Sequence, residues 1–143
     1  THCTSSAASD VYKRQDFLSF IKSYVNILIG NENECNELFN MTDKDNIIKD
    51  NDLEIMVMTK GEKGAEIFGI QSREEVEARE VESVVDTTGA GDMFAAGFLF
   101  KLLKEEKPLL AAKFGCKFAS LIIQQFGARP TDEILNIMKE TNN

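Results

Sequence analysis

Four consecutive residues, Gly89-Ala90-Gly91-Asp92, have the types and order needed to hold a phosphate and to move a proton beside it. Gly89 and Gly91 leave the backbone N–H groups of a turn free of side chains, and an apolar helix is predicted directly after the turn. The positive end of that helix adds to the attraction for an anion. Because the Asp92 carboxylate would repel a bound phosphate, its presence favours a general base that takes a proton from the attacking group.

A purely structural interpretation of these residues also stays open. Glycine-rich turns between a strand and a helix are common, and an acidic residue in a first helical turn stabilises the helix dipole without any chemistry.

Two other phosphate-binding motifs are excluded. A Walker A loop needs Gly-Lys-Ser/Thr, whereas Gly91 is followed by Asp92, and the dinucleotide fingerprint needs a third glycine three residues after the second.

The longer motif DTTGAGD, residues 86–92, resembles the C-terminal signature of the PfkB, or ribokinase-like, family of carbohydrate and nucleoside kinases. The resemblance implies an ATP-dependent kinase that phosphorylates a hydroxyl group of a sugar or related small molecule. In the family the last Asp of the motif is the catalytic base, and the Gly-Ala-Gly amides form an anion hole. These roles fall to Asp92 and to Gly89, Ala90 and Gly91.

A second signature of that family, N-x-x-E after a strand, matches Asn31 and Glu34. The resemblance implies that this pair positions Mg²⁺ and phosphate through water. The same spacing is that of a capping box, which stabilises a helix by about 1 kcal/mol and needs no ligand. Both roles could be filled by the same pair.

Further nucleotide contacts are implied by the resemblance alone. A T-x-G-x-x-G segment lines the nucleotide in the family and assigns Thr59, Gly61 and Gly64 as ATP contacts. The long helix near the C-terminus flanks the adenine pocket, which brings Cys116 and Ser120 near the base. For these last two residues, burial in the core is the favoured alternative.

The family often binds a monovalent cation beside the anion hole. By resemblance, Asp86 and Thr88 would hold such an ion, K⁺, together with Gly127. Thr88 is also counted among the residues that contact the nucleotide.

Composition indicates a globular chain with an acidic surface. The 143 residues are 43% hydrophobic and carry a formal net charge of −8, which argues against nucleic acid or an anionic membrane as a partner. No apolar run is long enough for a membrane span and no signal-peptide pattern occurs, so a cytoplasmic location is expected. Cys3, Cys35 and Cys116 have no metal-ligand spacing, and the single histidine, His2, excludes a Ser-His-Asp or Cys-His site within this chain.

The elements that must position these residues alternate between strands and helices. Residues 1–15 are polar and without period, and we expect a non-native or disordered tail there. Residues 16–143 are predicted to be the C-terminal half of a three-layer α/β/α fold, mostly helical after residue 91. Strands are predicted over residues 25–30, 53–58 and 65–70, with a hairpin between the last two, a solvated edge over 72–83 and a strand end at Val84-Val85. Helices are predicted from Asp16, Asn31, Asp43, Met93, Leu109 and Thr131.

The resemblance extends from about Asp16 to Thr141 and implies only half of the family's chain. The other half carries most of the substrate contacts in the family, so this chain alone is expected to bind nucleotide weakly, to show negligible kinase activity and to associate. A sugar is the expected acceptor of the whole kinase. Adenosine or another nucleoside is the alternative, because residues 115–130 (GCKFASLIIQQFGARP) are more similar to the adenosine-type members. The full-length protein could be a homodimer.

Overall fold

A single mixed sheet forms the centre of the protein. The structure, a computed structural model, describes residues 6–39, 44, 46–104 and 106–140. The strands are β1 (Ile27–Asn31), β2 (Ile55–Thr59), β3 (Ala65–Gly69) and β4 (Arg73–Val76), in the spatial order β1-β2-β3-β4. β1 is parallel to β2, whereas β2, β3 and β4 run antiparallel to their neighbours.

Helices cover both faces of this sheet. They are α1 (Ser6–Tyr24), α2 (Glu32–Phe39), α3 (Ile47–Asp50), α4 (Ala90–Leu102), α5 (Pro108–Ile122) and α6 (Asp132–Glu140). In β2, Met56 and Met58 face a core that includes Ile21 of α1, while Val57 faces a core that includes Phe98 of α4. Because successive strand residues point to opposite faces, the continuous apolar run of β2 indicates burial on both sides. The predicted three-layer α/β/α arrangement is confirmed.

The predicted hairpin is also present. A short 3₁₀ turn, Gly61–Lys63, joins β2 to β3, and Thr59 pairs with Ala65 at its base. β4 pairs with β3 alone among the described strands, so it is the edge strand that the charged sequence over 72–83 predicted.

The N-terminal segment differs from the prediction. Residues 6–15 belong to α1, which runs without a break to Tyr24, so disorder is a wrong prediction for that part, and residues 1–5 lie outside the described residues. No glycine or proline interrupts the helix, and the Arg14 Nε–H group donates to the Leu38 carbonyl oxygen of α2 over 2.9 Å. Asp16 therefore lies inside a helix and does not cap one.

Three other element boundaries are corrected. Val84-Val85 is not a strand end; the Val85 N–H group instead donates to the Ile123 carbonyl oxygen, 2.8 Å away. The helix predicted from Leu109 to Phe126 ends at Ile122, because a turn follows in which Gly127 has a φ of 78°. α3 begins at Ile47, later than the predicted start at Asp43, which lies outside the described residues.

None of the helices in the described part of the chain has both the length and the apolar character needed to cross a membrane.

Candidate functional site

The turn before α4 depends on a glycine at position 89. Gly89 has a φ of 82°, in the left-handed region, and it directly precedes the helix. A Cβ atom on Gly89 would lie 2.5 Å from the Cβ of Ala128 and 2.8 Å from its Cα. The Gly89 carbonyl oxygen accepts the Met93 N–H group over 2.9 Å, which begins the helical hydrogen bonding. Gly89 therefore sets the geometry of the helix start.

The first turn of α4 leaves backbone donors available. In the described part of the chain, no acceptor is present for the N–H groups of Gly91 and Asp92, as expected at a helix N-terminus. The Ala90 N–H group donates to the Thr87 carbonyl oxygen over 3.2 Å, so it is the least available of these amides. A Cβ atom on Gly91 would meet nothing within 4 Å, so the space beside these donors is open to a ligand.

Asp92 lies at this open helix start with its side chain exposed. Among the described residues, its carboxylate has no hydrogen-bond partner and no ion pair. The carboxylate is therefore not locked into the interior of the protein. It remains able to accept a proton from a molecule that approaches the Gly91 and Asp92 amides.

Asp86 has a different environment, because its carboxylate ties two loops together. One oxygen accepts the Thr88 N–H group over 2.8 Å and the other accepts the Gly127 N–H group over 2.9 Å. The Thr88 hydroxyl, then its N–H group and that of Gly127, lower the pKa of Asp86 below its ordinary value. Two of the residues assigned to a monovalent cation, Thr88 and Gly127, are thus each hydrogen-bonded to the third, Asp86.

A cavity of about 660 Å³ opens beside the start of α4. Its walls come from the β2–β3 hairpin turn, the connection between β4 and α4, the first turn of α4, and α5 with the residue that follows it. The lining residues are Thr59, Gly61, Glu62, Gly64, Ala78, Arg79, Glu80, Val81, Val84, Thr87, Ala90, Gly91, Phe94, Cys116, Ala119, Ser120 and Ile123. This volume lies in the range of small-molecule and cofactor sites.

Most of the predicted nucleotide contacts meet in this cavity. The predicted residues that line it are Thr59, Gly61, Gly64, Ala90, Gly91, Cys116 and Ser120, whereas Gly89, Asp92, Asp86, Thr88, Asn31 and Glu34 do not. The predicted site residues therefore form two groups. One group lines the cavity, and the other lies near the start of α4 and the end of β1.

The two glycines of the hairpin turn, Gly61 and Gly64, have different surroundings. Gly61 has a φ of 58° and open space where a Cβ atom would lie, so its surface is free for a ligand. Gly64 has a φ of 91°, and a Cβ atom there would collide with the carbonyl oxygen of Val76 at 1.9 Å. Gly64 is therefore required by the packing of β4 whether or not a nucleotide binds.

Cys116 and Ser120 are buried residues of α5 that also line the cavity. Burial raises the pKa of the Cys116 thiol to about 11, so this group stays protonated and unreactive at neutral pH. The Ser120 hydroxyl donates to the Lys117 carbonyl oxygen over 2.7 Å within the helix. Both residues are thus buried in the core, as in the alternative interpretation. Because they also line the cavity, their burial does not exclude contact with the adenine of a bound nucleotide.

Asn31 and Glu34 form the predicted capping box at the start of α2. The Asn31 N–H group donates to Glu34 Oε2 over 2.8 Å, and the Glu34 N–H group donates to Asn31 Oδ1 over 2.9 Å. Asn31 also pairs in register with Thr59, which lines the cavity. Both side chains are exposed oxygen donors, a ligand type that suits Mg²⁺ bound through water. The described residues contain no cluster of three or more His, Cys, Asp or Glu side chains suited to a metal.

The connection between β4 and α4 is a part of the cavity that the sequence did not predict. Residues 78–81 and Val84 line the cavity, although no function was proposed for this charged stretch. Charge dominates its sequence, with two Glu residues and one Arg over 79–82, and only Ala78 and Val81 are apolar over 78–82. No local sequence pattern identifies an irregular segment that folds back over a site.

Comparison with known proteins places this geometry in a family. Residues 3–134 match the profile of the pfkB family carbohydrate kinases. The chain belongs to this family. The matched region includes most of the segment that the sequence predicted to be a tail. The resemblance drawn from DTTGAGD is confirmed.

Individual relatives agree with the family assignment. A ribokinase from Staphylococcus aureus (strain COL) is 30% identical over 122 residues, which cover 79% of this chain and 40% of that protein. A solved structure of a probable sugar kinase from Rhizobium etli CFN 42 is 34% identical with a TM-score of 0.79 over 98% of this chain and 43% of that one. The adenosine kinase from Sinorhizobium meliloti is 31% identical with a TM-score of 0.80, over 92% and 41%. The chain thus spans about 40% of the length of the relatives it matches.

Proposed function

We propose that this chain forms the nucleotide-binding and phosphoryl-transfer part of an ATP-dependent small-molecule kinase. The observation that supports this most directly is the start of α4, where an exposed, unpaired Asp92 carboxylate lies beside unpaired backbone N–H groups at the margin of a nucleotide-sized cavity. A helix cap does not require open space beside Gly91, whereas a bound ligand does. Membership of a kinase family supports the same activity.

In the proposed phosphoryl transfer, the protein mainly positions the reacting groups and stabilises negative charge on the phosphates. An acceptor hydroxyl oxygen forms a bond to the γ-phosphorus of ATP as the bond from that phosphorus to the β–γ bridging oxygen breaks, and ADP leaves. Because the transition state is loose, the hydroxyl proton can pass to Asp92 late in the transfer. The N–H groups of Gly91 and Asp92 would stabilise negative charge on the phosphoryl oxygens.

Mg²⁺, when bound, would neutralise charge on the ATP phosphates. Asn31 and Glu34 would hold it through water, since their exposed oxygens lie next to the cavity strand that ends at Thr59. We also propose that Asp86, Thr88 and Gly127 form a K⁺ site. Asp86 would contribute to such a site only with the oxygen lone pairs that its bonds to Thr88 and Gly127 leave unused.

We propose a sugar as the acceptor of the whole kinase, with a nucleoside such as adenosine as the alternative. The similarity to an adenosine kinase over 92% of this chain favours that alternative. Since this chain spans about 40% of its relatives, we expect it to bind ATP without appreciable turnover. A homodimer remains a proposal for the full-length protein, and a cytoplasmic location remains a prediction.

Titration calorimetry with a non-hydrolysable ATP analogue tests the nucleotide site. The wild-type chain should bind the analogue, and Gly91→Val should weaken binding at least about tenfold, because the new side chain fills the space beside the α4 donors. Ala96→Val is the matched control, since Ala96 is exposed on the same helix and does not line the cavity. No binding by the wild-type chain, or equal effects of the two substitutions, would contradict the proposal.

A further inference from the structure

Two carboxylates face each other across the β3–β4 ladder. Glu66 pairs in register with Glu75, so their side chains lie on the same face of the sheet. The Glu66 side chain is 1% exposed, whereas that of Glu75 is 66% exposed. Like charges directly opposite each other destabilise a sheet, and a buried charge is costly without partners, so this arrangement needs compensating cations.

Lys60 lies between these carboxylates and bridges them. Its Nζ atom is 3.4 Å from Glu66 Oε2 and 3.2 Å from Glu75 Oε1. Burial lowers the pKa of Lys60, but its hydrogen bonds to the two carboxylates and their charges outweigh burial and raise the pKa above its ordinary value. Arg73 also pairs with Glu66, and Lys44 Nζ lies 3.8 Å from it.

Lys60 belongs to the hairpin turn that forms one wall of the cavity. Four residues of that turn line the cavity, namely Thr59, Gly61, Glu62 and Gly64, but Lys60 does not. Its N–H group donates to the Gly64 carbonyl oxygen over 2.7 Å, and its carbonyl oxygen accepts the Lys63 N–H group over 3.1 Å. The backbone of Lys60 thus closes the turn, while its side chain is attached to β3 and β4.

We infer that Lys60 is a positioning residue, which holds the turn over 59–64 in a nucleotide-binding geometry by bridging Glu66 and Glu75. This inference rests on the proposed nucleotide site. Without the bridge, the turn would keep its glycines and backbone hydrogen bonds but would lose the side-chain link from Lys60 to β3 and β4. A turn that moves more freely must be ordered when ATP binds, which weakens binding.

Lys60→Met tests this role, with Lys63→Met as the matched control. Both substitutions remove one positive charge from the same turn, but Lys63 is exposed and has no ion pair among the described residues. Arg73 continues to pair with Glu66 in the Lys60→Met chain, so the fold should persist. We expect Lys60→Met to weaken binding of the ATP analogue about 3- to 10-fold, and Lys63→Met to have less than a twofold effect. Lys60→Arg should recover most of the loss.

Hydrogen exchange gives a second measurement that does not depend on nucleotide. In Lys60→Met, exchange at the Lys63 and Gly64 amides should accelerate while exchange in β2 stays unchanged, whereas a general loss of stability would accelerate both. If the wild-type chain binds no ATP, the proposed function fails, yet the exchange comparison still decides whether Lys60 positions the turn. Equal exchange and equal affinity in Lys60→Met and Lys63→Met would overturn the inference.

Discussion

Asp86 and Asp92 are six residues apart and have opposite surroundings. Asp86 accepts hydrogen bonds from Thr88 and Gly127, and this fixes the loop before α4 against the turn after α5. Asp92 has no partner in the described part of the chain and lies beside open backbone donors. A carboxylate that stabilises structure needs donors, whereas one that accepts a proton from a ligand must remain available. Asp86 therefore holds two loops together, whereas Asp92 remains available for the proton-accepting role that we propose for it.

Asp92→Asn should leave nucleotide affinity unchanged or raise it. The carboxylate repels bound phosphate, so its neutralisation removes an unfavourable interaction, while any turnover of the chain should fall by about 10²-fold or more with the loss of the base. Calorimetry with the ATP analogue and a sensitive ADP-release assay measure the two effects. A marked loss of affinity for the analogue, or an ADP release of the wild-type chain that Asp92→Asn leaves unchanged, would contradict the assigned role.

Asp86 should make the stability of the chain sensitive to acid. The pKa of Asp86 is lowered in the folded state, so its contribution is complete above the unfolded value of about 3.9 and is lost as the pH falls through the folded value. Asp86→Asn should therefore lower the unfolding temperature at pH 7, and the gap to wild type should narrow below about pH 4. Thermal unfolding followed by circular dichroism measures this. Asp92→Asn serves as control, and a gap that persists undiminished at pH 3 would exclude the proposed linkage.

At the scale of elements, the contact between α4 and α5 holds the cavity wall in place. Gly97 and Gly115 lie at this contact, where a Cβ atom on Gly115 would be 2.8 Å from the Phe94 carbonyl oxygen. Phe94 and Cys116, which neighbour these glycines, line the cavity. The close approach of the two helices therefore affects the shape of the cavity. The sequence identified both helices but gave no sign that glycine sets the distance between them.

Gly115→Ala should destabilise the chain by about 1–3 kcal/mol, since the added methyl group meets backbone atoms that cannot move aside cheaply. Gly91→Ala is the matched control, because it makes the same change in a helix where a Cβ atom meets nothing within 4 Å. That control should raise stability by about 0.4–1 kcal/mol through the loss of unfolded-state entropy. Urea unfolding monitored by circular dichroism compares the two variants. Equal free energies of unfolding would show that the α4–α5 contact relaxes freely.

At the scale of the whole molecule, one side of the sheet ends at β1. β1 pairs with β2 alone among the described strands, so its other edge has backbone groups without a strand partner. Phe20 and Tyr24 of α1 are 52% and 75% exposed, with ring centroids 5.2 Å apart. Parallel strands and large aromatic side chains are usually covered in a folded domain. These surfaces support the expectation that the isolated chain associates.

Sedimentation velocity should show association of the isolated chain that increases with its concentration. Replacing Phe20 and Tyr24 together by Ser should reduce that association, because it removes exposed apolar area from α1. Leu103→Ser is the control, since Leu103 is 84% exposed and follows α4, outside α1. A wild-type chain that sediments as a single monomeric species at all concentrations would contradict this expectation.

Features that depend on neighbouring residues could be predicted from the amino-acid sequence. DTTGAGD predicted the glycine turn and the exposed acid before α4, the N-x-x-E spacing predicted the capping box of α2, and the apolar run of β2 predicted a strand buried on both faces. These are local, because turn glycines, caps and hydrophobic periodicity act over a few residues.

Contacts between residues that are distant in the sequence became evident from the folded structure. The fold places residues 78–81 and Val84 in the cavity wall, joins Asp86 to Gly127, and sets Lys60 between two carboxylates from different strands. It also extended α1 back to Ser6, where the polar sequence had suggested disorder. These contacts depend on the packing of helices against the sheet and on loop geometry, and no pattern within a short window of sequence specifies either one.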